Sequence, residues 1–243
     1  NITILVSAIM SMAGYIFSRR KSLAVACVVI FAFVIMAGAE ASVVRAALMG
    51  GLMLYAGISG KKYHVRNAVM LAALSMVVVN PKLLVFDVGF QLSFLALLGI
   101  VYVKPVLQGL CRVRDKGFLS WKETFFTTFS AQLMVVPVLI SNFGSISPIS
   151  LLTNVLILEC IPLTMGLGFL LAGAGFISEH LASGFSWIVH VLLQFEIGII
   201  RFFAGIPFAW SGTISWIFGI AYYAIFGLLL LYGERFISKF KKA

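Results

Sequence analysis

Charge is scarce in this chain. Only 11% of its 243 residues are charged, less than half the roughly 25% of an ordinary soluble domain. That excludes a water-soluble globular domain, whose surface needs charge. Cysteine is rare too. Cys27, Cys111 and Cys160 lie far apart with no CxxC pair, which excludes a disulfide framework and a cysteine zinc site. Cys27 and Cys160 sit in apolar runs, as small buried hydrophobes do. Three scattered histidines give no HExxH pair. Neither a GxSxG elbow nor a GxxxxGK[ST] phosphate loop occurs. The sequence therefore predicts no catalytic residue, no metal, no cofactor and no enzyme activity. Without a nucleotide site the chain cannot power transport by itself.

What the chain has is hydrophobicity: 62% of its residues, with a mean hydropathy of +1.10. The apolar runs are continuous rather than alternating, which favours membrane helices over a β-barrel. Windows of about 20 apolar residues mark spans. Nine stand out: 2–17, 23–39, 41–58, 66–79, 84–103, 124–141, 149–176, 183–206 and 214–232. Several are short; the one at 2–17 reads as truncated, and those at 41–58 and 66–79 read as tilted or only partly inserted. The long one at 149–176 is expected to break near Pro162, since proline removes a helix hydrogen bond and clashes with the preceding turn. The fold class predicted is an all-α, polytopic integral membrane bundle of about nine spans with short or broken helices. Residues 1–243 read as one transmembrane domain, with no repeat and no second soluble part. The chain opens on Asn1 and enters an apolar stretch at once, so it is read as a piece of a longer protein.

The formal charge is +10. Such an excess fits either a nucleic-acid partner or cytoplasmic loops lying against anionic lipid. With the loop Arg19–Lys21 placed inside and nine crossings, fifteen of the 18 basic residues fall on the cytoplasmic side, including the tail after residue 234. The outer loops receive Lys82 alone, while Arg45 and Arg201 fall inside spans. This asymmetry predicts a multi-pass protein of the inner membrane with a cytoplasmic C-terminus.

Polar residues inside spans are the functional candidates. Asp87 and Gln91 are spaced i, i+4, so they share one helix face. Ser42 and Arg45 open the third span. Arg45 can snorkel, pair with Glu40 or Asp87, or hold a phosphate with its planar fork. His190, Gln194 and Arg201 form a polar stripe on the eighth span, from which Glu196 points away. Gln132, Asn142 and Asn154 add single polar groups, which are packing contacts as readily as ligands.

Two stretches together resemble the transmembrane competence region of ComEC-type DNA-internalisation proteins. One runs from Ser42-Val-Val-Arg45-Ala46 to Asn80-Pro81 and Asp87-Val-Gly-Phe-Gln-Leu-Ser-Phe94. The other joins Gln132, Pro137, Phe143-Gly144, Ser147-Pro148, Asn154 and Pro162. The resemblance implies an inner-membrane channel that passes single-stranded DNA into the cytoplasm during natural transformation. Its implied partners are that strand, the bilayer, the DNA-uptake machinery and a cytoplasmic motor; a homo-oligomer is allowed. The residues put forward for the pathway or a polar core, from the polar positions and the resemblance together, are Ser42, Arg45, Asp87, Gln91, Gln132, Asn154 and Arg201, with Asp87 orienting Arg45 or another basic residue through an ion pair. The OB-like and metallo-β-lactamase-like domains of such proteins are not in these residues, so no nuclease activity is carried over. Glu159 stands where relatives commonly have proline; a carboxylate beside a phosphate path repels it unless neutralised, so Glu159 is expected to face a basic neighbour or to signal altered cargo. Two rival readings are a secondary transporter of a small anion, which predicts inverted repeats, and a non-conducting scaffold held by polar contacts.

Overall fold

A computed structural model of the chain describes residues 19–60, 62–111, 121–206, 210–211 and 217–228. The first expected span, 2–17, lies outside them. Two compact units divide the chain, Asn1–Val101 and Tyr102–Ala243.

In the first unit, apolar sequence folds as α1 (Arg19–Met36), α2 (Ala41–Ile58) and α3 (Val65–Val79). The turn between α1 and α2 needs a left-handed backbone, which Gly38 supplies at φ +72. A short helix, α4 (Leu83–Phe86), precedes α5 (Val88–Leu98), which runs on through a π-helical turn, Gly99–Val103. Small and large residues interlock across these helices. Ala26, Ile30 and Leu54 bury one cluster. Val69, Ala72 and Met76 of α3 meet Phe90 and Phe94 of α5 in another. The two phenyl rings lie 4.5 Å apart.

The second unit holds α6 (Lys104–Leu110), α7 (Trp121–Phe143), α8 (Ile149–Leu158), α9 (Ile161–Ile177), α10 (Glu179–Ala204) and α11 (Ile217–Leu228). A two-residue antiparallel ladder, β1 (Ser145–Ile146) with β2 (Trp210–Ser211), ties two of its loops together. Lys104 and Glu123 form an ion pair at 2.9 Å. The predicted break near Pro162 is present: α8 and α9 meet at 46°, with Pro162 in the first turn of α9. Proline belongs there because the first helical N–H groups have no intrahelical acceptor.

Pro137 sits inside α7, where its missing N–H leaves the carbonyl four residues earlier unbonded. That carbonyl is Leu133's, and Tyr222 of α11 donates its hydroxyl to it at 2.9 Å. Tyr223 does the same for the next carbonyl, Met134, at 2.8 Å. In lipid, where an unsatisfied backbone group costs several kcal/mol, this pair of phenols repairs the helix from outside.

Among the described residues three helical stretches are long and apolar enough to cross a membrane: Val88–Leu110, Lys122–Phe143 and Ala182–Ala204. The bent pair α8–α9 makes a fourth when counted as one span. Ala24–Met36, Ala41–Gly57, Val65–Val79 and Ile217–Leu228 are apolar but shorter. Among the described residues the secondary structure is therefore helical but for the two-residue ladder. The apolar segments at 23–39, 41–58 and 66–79 are short helices, and the run at 84–103 is interrupted rather than continuous.

Candidate functional site

The interruption falls at Asp87, and it explains the polar residues of that stretch. The chain leaves α3 at Asn80, whose side chain accepts the Lys82 N–H at 3.2 Å and closes a turn. Pro81 follows, and α4 lasts four residues. Asp87 has an extended backbone, φ −99 and ψ 99. Its N–H still donates to Leu83 at 3.4 Å, while its carboxylate accepts the Phe90 N–H at 2.7 Å. Asp87 is therefore the N-cap of α5. An acid is favoured there, because it satisfies an orphan donor and faces the positive end of the helix dipole. Gln91 faces the other way. Its amide nitrogen donates to the carbonyls of Leu84 at 2.9 Å and Val85 at 3.1 Å, satisfying α4 at its C-terminal end. Gly89 makes room between the two clips: a Cβ there would stand 3.1 Å from the Asp87 carboxylate. The string Asp-x-Gly-x-Gln is thus a joint between two helices, locked from both sides. Asp87 also lines a mostly apolar cavity of about 300 Å³ with Val44, Ser75 and Met76.

Arg45 lies one turn into α2 and does not reach Asp87. One guanidinium nitrogen donates to the backbone carbonyl of Ser93. The group lies 5.8 Å from the centroid of the Phe94 ring, in cation–π range. Its Nε is buried and has no partner among the described residues. The ion pair expected between Asp87 and Arg45 is replaced by these contacts, because each group finds a closer backbone partner in α5. Arg45 is thus a guanidinium within an apolar helix, with most of its five N–H donors uncommitted among the described residues. Ser42, on the same helix, is half-buried.

In the second unit, Gln132 of α7 donates to the Ser150 hydroxyl of α8 at 2.8 Å, and Ser150 passes the bond to the Ser147 carbonyl at 2.6 Å. Its other amide atom, Oε1, is buried with no partner among the described residues, as is the Thr128 hydroxyl one turn away. At the far end of the same helix pair, Thr124 donates to Glu159 at 2.5 Å. Glu159 therefore meets a hydroxyl where a basic neighbour was expected. Asn154 stands on the exposed side of α8, and His190, Gln194 and Arg201 are exposed along α10. The polar stripe predicted on α10 faces away from the packing.

The residue that does face the packing of α10 is Glu196, which is 9% exposed and receives a hydroxyl bond from Thr164 of α9. Its spacing from buried Val189 and from half-buried Leu192, Ile199 and Phe203 follows a heptad seam. That seam is legible in the sequence as apolar residues at heptad spacing around Glu196. Tyr222 and Tyr223 left a signal too, as two adjacent phenols in an apolar helix of a chain with an intrahelical proline. Among the described residues, no three His, Cys, Asp or Glu come together as a metal site.

Comparison with known proteins gives this arrangement a family. Residues 1–236 match the family of the competence protein. The chain is 31% identical over 124 residues to ComE operon protein 3 of Bacillus subtilis (strain 168). The match covers 51% of this chain and 15% of that protein, so the chain spans a small part of its relative's length. No solved structure matches it. A family match over nearly all residues, an apolar helical build and the Asp-x-Gly-x-Gln joint agree: the chain is a membrane protein of the Competence family, of the ComEC type.

Proposed function

We propose that this chain forms the membrane conduit through which single-stranded DNA enters the cytoplasm during natural transformation. The family points to DNA uptake. The observation that carries the finer reading is Arg45, a cation held inside an apolar helix with donors to spare. A guanidinium in that state suits phosphate, which it can grip with two parallel hydrogen bonds, and single-strand channels need a positive route beside aromatic surface. Phe94, buried in the core, backs the guanidinium from 5.8 Å. In this reading the chain crosses the inner membrane about nine times, with its C-terminus in the cytoplasm. It binds the strand without catalysing a reaction, and partners of the uptake machinery, including a cytoplasmic motor, drive the movement. Ser42, Gln132, Asn154 and Arg201 serve the same route or its polar frame, while Asp87 and Gln91 shape the helix joint beside it.

The test is uptake of labelled DNA by cells whose own copy carries Arg45→Met or Arg45→Lys, with the protein's abundance measured alongside. At normal abundance, Met should abolish uptake and Lys should leave a partial rate, since an ammonium keeps the charge but not the fork. Normal uptake by the Met variant would overturn the assignment.

A further inference from the structure

We propose that the loop between α2 and α3 builds a separate binding pocket for one nucleotide of a single strand, a base held by tyrosine and its phosphate by lysine; this rests on the conduit reading above. The pocket arises from local sequence. α2 ends at Ile58, Gly60 takes a left-handed φ of +64, and the chain re-enters helix at Val65 with His64 at the N-cap position. This brings Lys62, Tyr63 and His64 together with Tyr55 of α2 and Asn67 of α3 around a cavity of about 190 Å³. At roughly 30 Å³ per water, that is room for about six waters, the scale of one planar base rather than of a lone ion.

Four of the lining groups match parts of a nucleotide. Tyr55 is largely exposed and Tyr63 half-buried, so both rings offer faces on which a base can stack. Base–aromatic stacking tolerates any sequence, as uptake of arbitrary DNA requires. Burial pushes the Tyr63 phenol up from its ordinary value, so its ring carries no charge to repel a phosphate at neutral pH. Asn67 offers both donors and an acceptor to a base edge, and Lys62 offers a phosphate its compact charge. The floor is apolar, with Ala68 buried. An anionic lipid headgroup would use the lysine but would leave the tyrosines and the amide without a role. In the nine-crossing orientation this loop is cytoplasmic, where the strand emerges.

The experiment uses the whole protein that carries this chain, in phosphatidylcholine nanodiscs. Binding of a fluorescein-labelled oligothymidylate is compared with that of an abasic oligomer of equal length and charge. Tyr63→Leu should weaken oligothymidylate binding by roughly 5- to 150-fold and leave the abasic oligomer unchanged, while Tyr63→Phe keeps wild-type binding. Tyr55→Leu, at an exposed position, should act in the same direction. Lys62→Gln should weaken both oligomers and lower the salt slope by about 0.7. Equal binding of the two oligomers with no effect of either tyrosine variant would overturn the pocket. So would loss of oligothymidylate binding on adding phosphatidylglycerol, together with Lys62-dependent phosphatidylglycerol binding, since that outcome assigns the site to a lipid headgroup. Uptake in Arg45→Met cells separates the two readings. Lost uptake beside tyrosine-independent binding removes the pocket alone; unchanged uptake at unchanged abundance removes the conduit, and the pocket's role with it.

Discussion

At the residue scale, Asp87 changes meaning between sequence and structure. A carboxylate in an apolar run marks a site, and the sequence shows it plainly. Its work is to cap α5, so its hydrogen-bonding oxygen matters more than its charge. Asp87→Asn should therefore keep normal thermal unfolding in detergent, whereas Asp87→Ala should lose about 1 kcal/mol. If Asp87→Asn melts normally yet takes up no DNA, the charge itself acts on the strand. Gly89→Ala should cost a similar amount, because its methyl would crowd the carboxylate at 3.1 Å. The positions of Asp87, Gln91 and Arg45 were readable, since each is polar where its neighbours are not. Their partners were not, because the i, i+4 argument assumes an unbroken helix and the helix breaks at Asp87 itself. Once it does, the nearest acceptors and donors are backbone groups, which leave no trace in residue identity.

At the scale of elements, the helices of this protein mend one another. Pro137 disables a carbonyl in α7, and Tyr222 of α11 answers it. Tyr222→Phe should destabilise the protein by about 1–3 kcal/mol, the penalty for leaving a buried acceptor unmade. Pro137→Ala restores the missing N–H, so in that background the same tyrosine change should cost much less; a double-mutant cycle on thermal unfolding reads the difference. Proline marked one break in advance, between α8 and α9, because a ring at a helix start has a clear local consequence. It did not mark the break at Asp87, where a short polar side chain ends one helix and starts the next without help from proline. Helix lengths followed hydropathy well at α2, predicted as 41–58 and observed as Ala41–Ile58.

At the scale of the whole molecule, the distribution of lysine and arginine gives a sidedness that can be measured. In a background without Cys27, Cys111 and Cys160, a cysteine at Lys82 should react with an impermeant maleimide from outside the cell. One at Lys62 should react only after the membrane is opened. Reversed labelling would overturn the nine-crossing arrangement at that point. The joint around Asp87 also bears on the order in which the chain is made. Synthesis runs from the N-terminus, so Leu84 and Val85 leave the ribosome seven and six residues ahead of the glutamine that caps them. A four-residue helix is far too short to hold itself, and its bare carbonyls are barred from hydrocarbon. In the nine-crossing reading, the stretch from Asn80 to Phe86 is expected to wait at the membrane surface until Gln91 arrives, and then to enter the bilayer together with α5. A nascent chain arrested with Gln91 still inside the ribosome should hold this stretch outside the lipid, and one arrested after Gln91 has emerged should release it.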